Sequence, residues 1–131
     1  MASNPDKVKV LLIEDEPDVL ELYRLKLTLD DYDVITAQDG PEGLAKAKSE
    51  HPELIFLDIK MPGMDGFEVL KHLRSDEKTK DTPVIILSNF DEETMVEKGL
   101  SLGANEYLIK SHFSPGSLSE KAKEYFDHPE D

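Results

Sequence analysis

Short apolar runs alternate along this chain with longer stretches in which apolar residues recur every three or four positions. The runs VKVLLI, LIFL, VIIL and EYLI are too short for helices and rich in the branched residues that strands favour. Repeated strand–helix units of this kind build a doubly wound parallel sheet covered on both faces. The pattern predicts β1 over Val8–Ile13, α1 over Pro17–Leu29, β2 over Asp33–Ala37 and α2 over Pro41–Glu50. It continues with β3 over Leu54–Leu57, α3 over Phe67–Arg74, β4 over Val84–Leu87, α4 over Asp91–Leu102, β5 over Glu106–Ile109 and α5 over Pro115–Phe126.

Punctuation supports the division. Pro17, Pro41 and Pro115 suit first helical turns, where the missing N–H costs nothing. Gly103 suits a helix C-terminus. Asp65 sits where a cap would start α3, with Gly63 and Gly66 serving the turn before it. Ser117 and Glu120 have the spacing of a capping box for α5. The polar stretch from Arg74 to Pro83 reads as a surface loop. Residues 1–6 and 127–131 are expected to be flexible ends.

Length and charge narrow the function classes. With 131 residues, one folded unit is expected. The 29 acidic against 15 basic residues leave a formal charge of −14, which would repel nucleic acid and anionic membranes. Cysteine is absent, so thiolate metal sites and disulfides are excluded; a cytoplasmic location is the expectation. No apolar run reaches membrane-spanning length.

The chemistry sits at the C-terminal ends of four runs: Glu14 and Asp15, then Asp58, Ser88 and Lys110. In a parallel sheet these ends share one edge, where ligands of open α/β folds bind. Asp58, ending an apolar strand, is the candidate nucleophile, expected at that edge with solvent access instead of inside the core. Three carboxylates beside an incoming phosphoryl group crowd like charges, and hard oxygen donors of this type suit Mg²⁺. Lys110 offers a positive charge that could pair with Asp58 at rest and hold a phosphoryl oxygen afterwards. Simpler readings exist: Lys110 as a surface lysine, Ser88 as a turn residue, and Tyr107 as a half-buried strand aromatic. Glu14, Asp15, Glu16 and Asp18 could merely complement a helix dipole, and for Glu16 and Asp18 that reading is preferred.

LIFLDIKMPGMDG, with VLLIEDE before it and VIILS and EYLIK after it, resembles the receiver domain of two-component response regulators, over residues 7–126. The resemblance implies a flavodoxin-like, five-stranded parallel sheet in 2-1-3-4-5 order flanked by five helices. It implies Asp58 as phosphoacceptor from the phosphohistidine of a histidine kinase or phosphotransfer protein. Asp15 and Asp58 would ligate Mg²⁺ (or Mn²⁺), Glu14 would act through metal-bound water, and Lys60 would offer its backbone carbonyl. Ser88 and Lys110 would grip phosphoryl oxygens, and Tyr107 would swing inward as the switch, changing an α4–β5–α5 face that partners read. A signalling switch with weak self-phosphorylation and autodephosphorylation is implied, not a conventional enzyme. Chemotaxis-receiver-like and stand-alone is the reading of this length, although a piece of a longer regulator fits equally. A monomer is expected, with dimerisation on phosphorylation through the same face; no direct nucleic-acid or membrane contact is expected, and the downstream protein partner is not legible.

Departures from the family pattern lie around the same opening. Ser111 replaces the usual proline after the lysine, which removes the reason for a cis peptide there. Asn89, Phe90 and Lys60 flank the phosphoryl position. Three competing readings are a constitutive interaction module, an aspartyl-phosphate hydrolase and a flavin-binding domain. The four matching positions argue against the first, Lys60 in place of an acidic residue against the second, and the acidic loop after β1 against the third.

Overall fold

A computed structural model describes residues 7–126. Its strands are β1 (Lys9–Ile13), β2 (Asp33–Ala37), β3 (Leu54–Asp58), β4 (Val84–Ser88) and β5 (Glu106–Ile109). The helices are α1 (Pro17–Leu29), α2 (Gly40–Glu50), α3 (Gly66–Ser75), α4 (Glu93–Ser101) and α5 (Pro115–Phe126), with a short 3₁₀ turn at Lys110–His112. All strand pairs are parallel, in the order β2-β1-β3-β4-β5. The central strands β3 and β4 are buried along their whole length because helices cover both faces.

The two-residue period of a strand sorts the core into halves. Leu11, Ile13, Ile55, Leu57, Val84 and Ile86 pack with Ala47, Phe67 and Leu70 beneath α2 and α3, and Tyr107 and Met95 join that side. Val10, Leu12, Leu54, Phe56, Ile85 and Leu87 pack with Leu20, Tyr23 and Leu27 of α1 and with Leu118 and Ala122 of α5. Each large side chain so buried contributes about 1.5–3 kcal/mol, which is why these runs choose strand geometry over their local alternatives.

Several boundaries differ from the sequence pattern, each for a physical reason. Val8 lies just before β1, whereas Asp58 and Ser88 are themselves the last residues of their strands, still in register with Leu87 and Ile109. Helices α2 and α3 each start one residue earlier, behind Asp39 and Asp65, whose side chains accept from Glu42 N and Glu68 N. Asp65 and Glu68 form a reciprocal capping box. Helix α4 is shorter than its apolar pattern: Glu92 is extended at its start, and Gly103, at φ +109°, turns the chain away after Leu102.

The cap of α5 is Ser114, not Ser117: its Oγ accepts from Ser117 N at 3.1 Å, because Pro115 puts Ser117 inside the first turn. Arg74, where the sequence pattern both ends α3 and starts the following loop, belongs to α3. Its guanidinium donates to Gly103 O (3.0 Å), Thr82 O (2.8 Å) and Asn105 Oδ1 (3.2 Å), joining α3 to two turns. Thr79, in the same polar stretch, is buried, its hydroxyl bonded to Leu73 O. The expectations for residues 1–6 and 127–131 fall outside the described residues. Among the described residues no helix is long and apolar enough to cross a membrane, and no peptide bond is cis, Lys110–Ser111 included.

Candidate functional site

The sheet register brings the polar strand ends together as a staircase. Ile13 pairs with Leu57, so Glu14 comes level with Asp58; Asp58 pairs with Leu87, so Ser88 stands one step beyond. Ser88 pairs with Ile109, so Lys110 is one further step along. The chain leaves β1 toward β2 on one side while β3 lies on the other, and the crevice of an open α/β sheet forms at such a reversal. A cleft of about 490 Å³ opens there, lined among others by Asp15, Asp58, Ser88, Phe90 and Lys110.

Asp58 is only 5 % exposed, which corrects the expectation of a solvent-accessible carboxylate: the cleft reaches it, bulk water scarcely does. Burial raises its pKa from 3.8 to about 7, the charge of Glu14 adds to the rise, and Lys110 opposes it. Ligand oxygens of Glu14, Asp15 and Asp58 lie within 4.8 Å of one another. Lys110 answers this negative cluster from the turn just after β5. Its ammonium lies 2.6 Å from Glu14 Oε1 and 3.4 Å from Asp58 Oδ1, so the closer pairing is with Glu14. Desolvation lowers the Lys110 pKa, but the Glu14 hydrogen bond and the Asp58 charge outweigh it and the net shift is upward.

Gly66 lets the loop after β3 fold tightly against Asp58. Its N–H donates to Ile59 O at 2.8 Å, and a Cβ there would stand 2.3 Å from Asp58 O and 2.7 Å from Ile59 Cα, both backbone atoms. Gly66→Ala is expected to destabilise the fold by roughly 3 kcal/mol, read as a lowered urea midpoint, since backbone cannot rotate out of the way. An unchanged midpoint would show that this loop yields freely.

On the other side of the cleft, Phe90 is tied at both its backbone groups. Its N–H donates to Ser88 Oγ at 3.0 Å, and its carbonyl accepts from the Tyr107 hydroxyl at 2.7 Å. Lys60 is exposed and lines the cleft with Asn89. The structure thus brings Asp15, Asp58, Lys60, Ser88 and Lys110 to one opening, with Glu14 buried beside Asp58 and Tyr107 behind the wall. Tyr23 of α1 was not singled out by the sequence. It shares a small cavity with Glu14 and Asp58, and desolvation raises its hydroxyl pKa. Its position in an apolar helical face signals only burial.

The sequence model of the response regulator receiver domain matches residues 10–123. The chain belongs to this family. It is similar to the alkaline phosphatase synthesis transcriptional regulatory protein PhoP of Bacillus subtilis, 42 % identical over 88 % of this chain and 47 % of that protein. It is also similar to response regulator PleD of Caulobacter vibrioides, 39 % identical over 78 % of this chain and 22 % of that protein. The receiver therefore spans about half, or less, of the length of these curated relatives. Among solved structures, chemotaxis protein CheY4 of Vibrio cholerae superposes with a TM-score of 0.85 at 32 % identity, covering 92 % of this chain and 99 % of that one. A receiver of two-component signalling accounts for the 2-1-3-4-5 sheet and for the acidic cleft at its carboxyl edge.

Proposed function

We propose that this receiver, residues 7–126, accepts a phosphoryl group on Asp58 from the phosphohistidine of a histidine kinase or phosphotransfer protein. An Asp58 carboxylate oxygen attacks phosphorus and the P–N bond to the donor imidazole breaks, leaving an aspartyl phosphate and a histidine. The observation that carries this reading is the buried Asp58 carboxylate at the base of a cleft, with Lys110 3.4 Å away. Lys110 would hold a phosphoryl oxygen as charge accumulates, and the Ser88 hydroxyl can donate to another.

The donor set fits a divalent cation: Glu14, Asp15 and Asp58 supply hard oxygens within 4.8 Å of one another, and Lys60 would add its carbonyl. Mg²⁺ or Mn²⁺, if held by Glu14, Asp15 and Asp58, would neutralise part of the charge that crowds the phosphoryl position. Around it, this chain's own residues position the acceptor, exclude water and counter the remaining charge. The same arrangement supports slow self-phosphorylation from small phosphodonors and slow autodephosphorylation. The output would be a changed α4–β5–α5 face read by a protein partner.

The test is intact mass after incubation with acetyl phosphate. A gain of one phosphoryl group is expected with Mg²⁺ present and no gain in chelator. Gain without the metal would refute the role of the carboxylate cluster, and no gain in either condition from folded protein would refute acceptance itself.

A further inference from the structure

Helix α4 rests on the sheet through a position that has no side chain. Gly99 is its one buried residue among those described, while Leu100 beside it is 45 % exposed. A Cβ on Gly99 would stand 2.7 Å from Ile86 Cδ1 and 3.0 Å from Tyr107 Cδ2. The Ile86 methyl ends a flexible side chain and can rotate. The Tyr107 ring has less freedom, because its hydroxyl is held at the far end by Phe90 O at 2.7 Å.

This places one ring between two structures that must communicate. On one side is the backbone of α4 at Gly99. On the other is the loop that carries Asn89 and Phe90 over the cleft and is tied back to Ser88. Tyr107 and Ile86 share a face of the sheet with α4, and Ser88 ends the strand that carries Ile86. With the ring seated there, both backbone groups of Phe90 are satisfied.

We propose that Gly99 is a positioning residue for the phosphoryl site: the space it leaves seats the Tyr107 ring where its hydroxyl reaches Phe90 O, and so holds the Ser88–Phe90 loop in place. The kinetic consequence rests on Asp58 being the acceptor; the seating of the ring does not. A side chain at position 99 presses on the Tyr107 ring, and a shift of the ring or of α4 in response loosens the hydroxyl from Phe90 O. Ser88 then loses its fixed orientation toward the phosphoryl position.

The experiment uses the full chain labelled with 3-fluorotyrosine, its Tyr107 resonance assigned by comparison with Tyr107→Phe. In Gly99→Ala that ¹⁹F resonance is expected to move toward its value in urea, and an unmoved resonance overturns the proposal. Alanine suits a helix interior better than glycine, so α4 itself is not weakened by the change. Ile86→Val combined with Gly99→Ala removes the nearest clash, guards against misfolding, and should move the resonance likewise.

In parallel, the rate of phosphorylation by acetyl phosphate with Mg²⁺ is expected to fall about threefold to tenfold in Gly99→Ala, the scale of one lost hydrogen bond. That fall should vanish in a Tyr107→Leu background, and an equal fall there overturns action through Tyr107. If the wild-type protein takes up no phosphoryl group, the acceptor reading of Asp58 fails, and the resonance alone decides whether Gly99 seats the ring.

Discussion

Asp58→Asn is expected to take up no phosphoryl group from acetyl phosphate in Mg²⁺, leaving its intact mass unchanged under conditions that add one group to the wild type. The substitution keeps the size and shape of the side chain but removes the anionic oxygen that must form the bond to phosphorus. Neighbouring carboxylates are poor substitutes. Glu14 is held by Lys110 at 2.6 Å, whereas Lys110 lies 3.4 Å from Asp58, so Asp58 is the less tightly engaged of the two. Asp15 reaches the cleft but lies outside the central strands, beyond the end of β1. A full phosphoryl gain in Asp58→Asn would move the acceptor to one of these residues. Peptide mapping of the product would then say which.

The same substitution is expected to stabilise the metal-free fold, and by an amount that depends on pH. In the unfolded chain the Asp58 carboxyl titrates near 3.8, and in the folded protein near 7, mainly because burial disfavours its charge and then because Glu14 repels it. The folded state therefore binds this proton more tightly. The contribution to stability is fully present below about pH 4 and is lost as pH rises through about 7. Asparagine cannot ionise and escapes that loss. Asp58→Asn should thus gain on the wild type between pH 5 and 8 by roughly 2–4 kcal/mol, measured by urea unfolding in chelator. Equal differences at both pH values would show that Asp58 is not strained by burial. Added Mg²⁺ should recover stability in the wild type by binding the folded state, and do so less in the variant.

These two expectations share one cause. A carboxylate held out of water beside two others stores unfavourable energy in the resting protein. Cation binding would relieve it. Lys110 limits the strain without removing it, since its closer contact is with Glu14. The price in stability is typical of functional sites, where groups are arranged for chemistry against the preference of the fold.

The apolar runs and their spacing were enough to predict ten elements, their parallel arrangement and the strand ends that carry Glu14, Asp15, Asp58, Ser88 and Lys110. Local chemistry was equally legible where it involves near neighbours: Asp65 and Glu68 meet because they are three residues apart on one helix. What the tertiary structure alone decided involves partners distant in sequence. The stagger of β1, β3, β4 and β5 determines that Lys110 reaches Glu14 ahead of Asp58. Crossover packing buries Asp58, brings Tyr23 to its back, and crowds Gly66 against its carbonyl and Gly99 against the Tyr107 ring. Periodicity reports which face of a strand or helix is apolar. It carries no information on how far one element slides along another, and distances of a few ångströms in this site depend on that sliding.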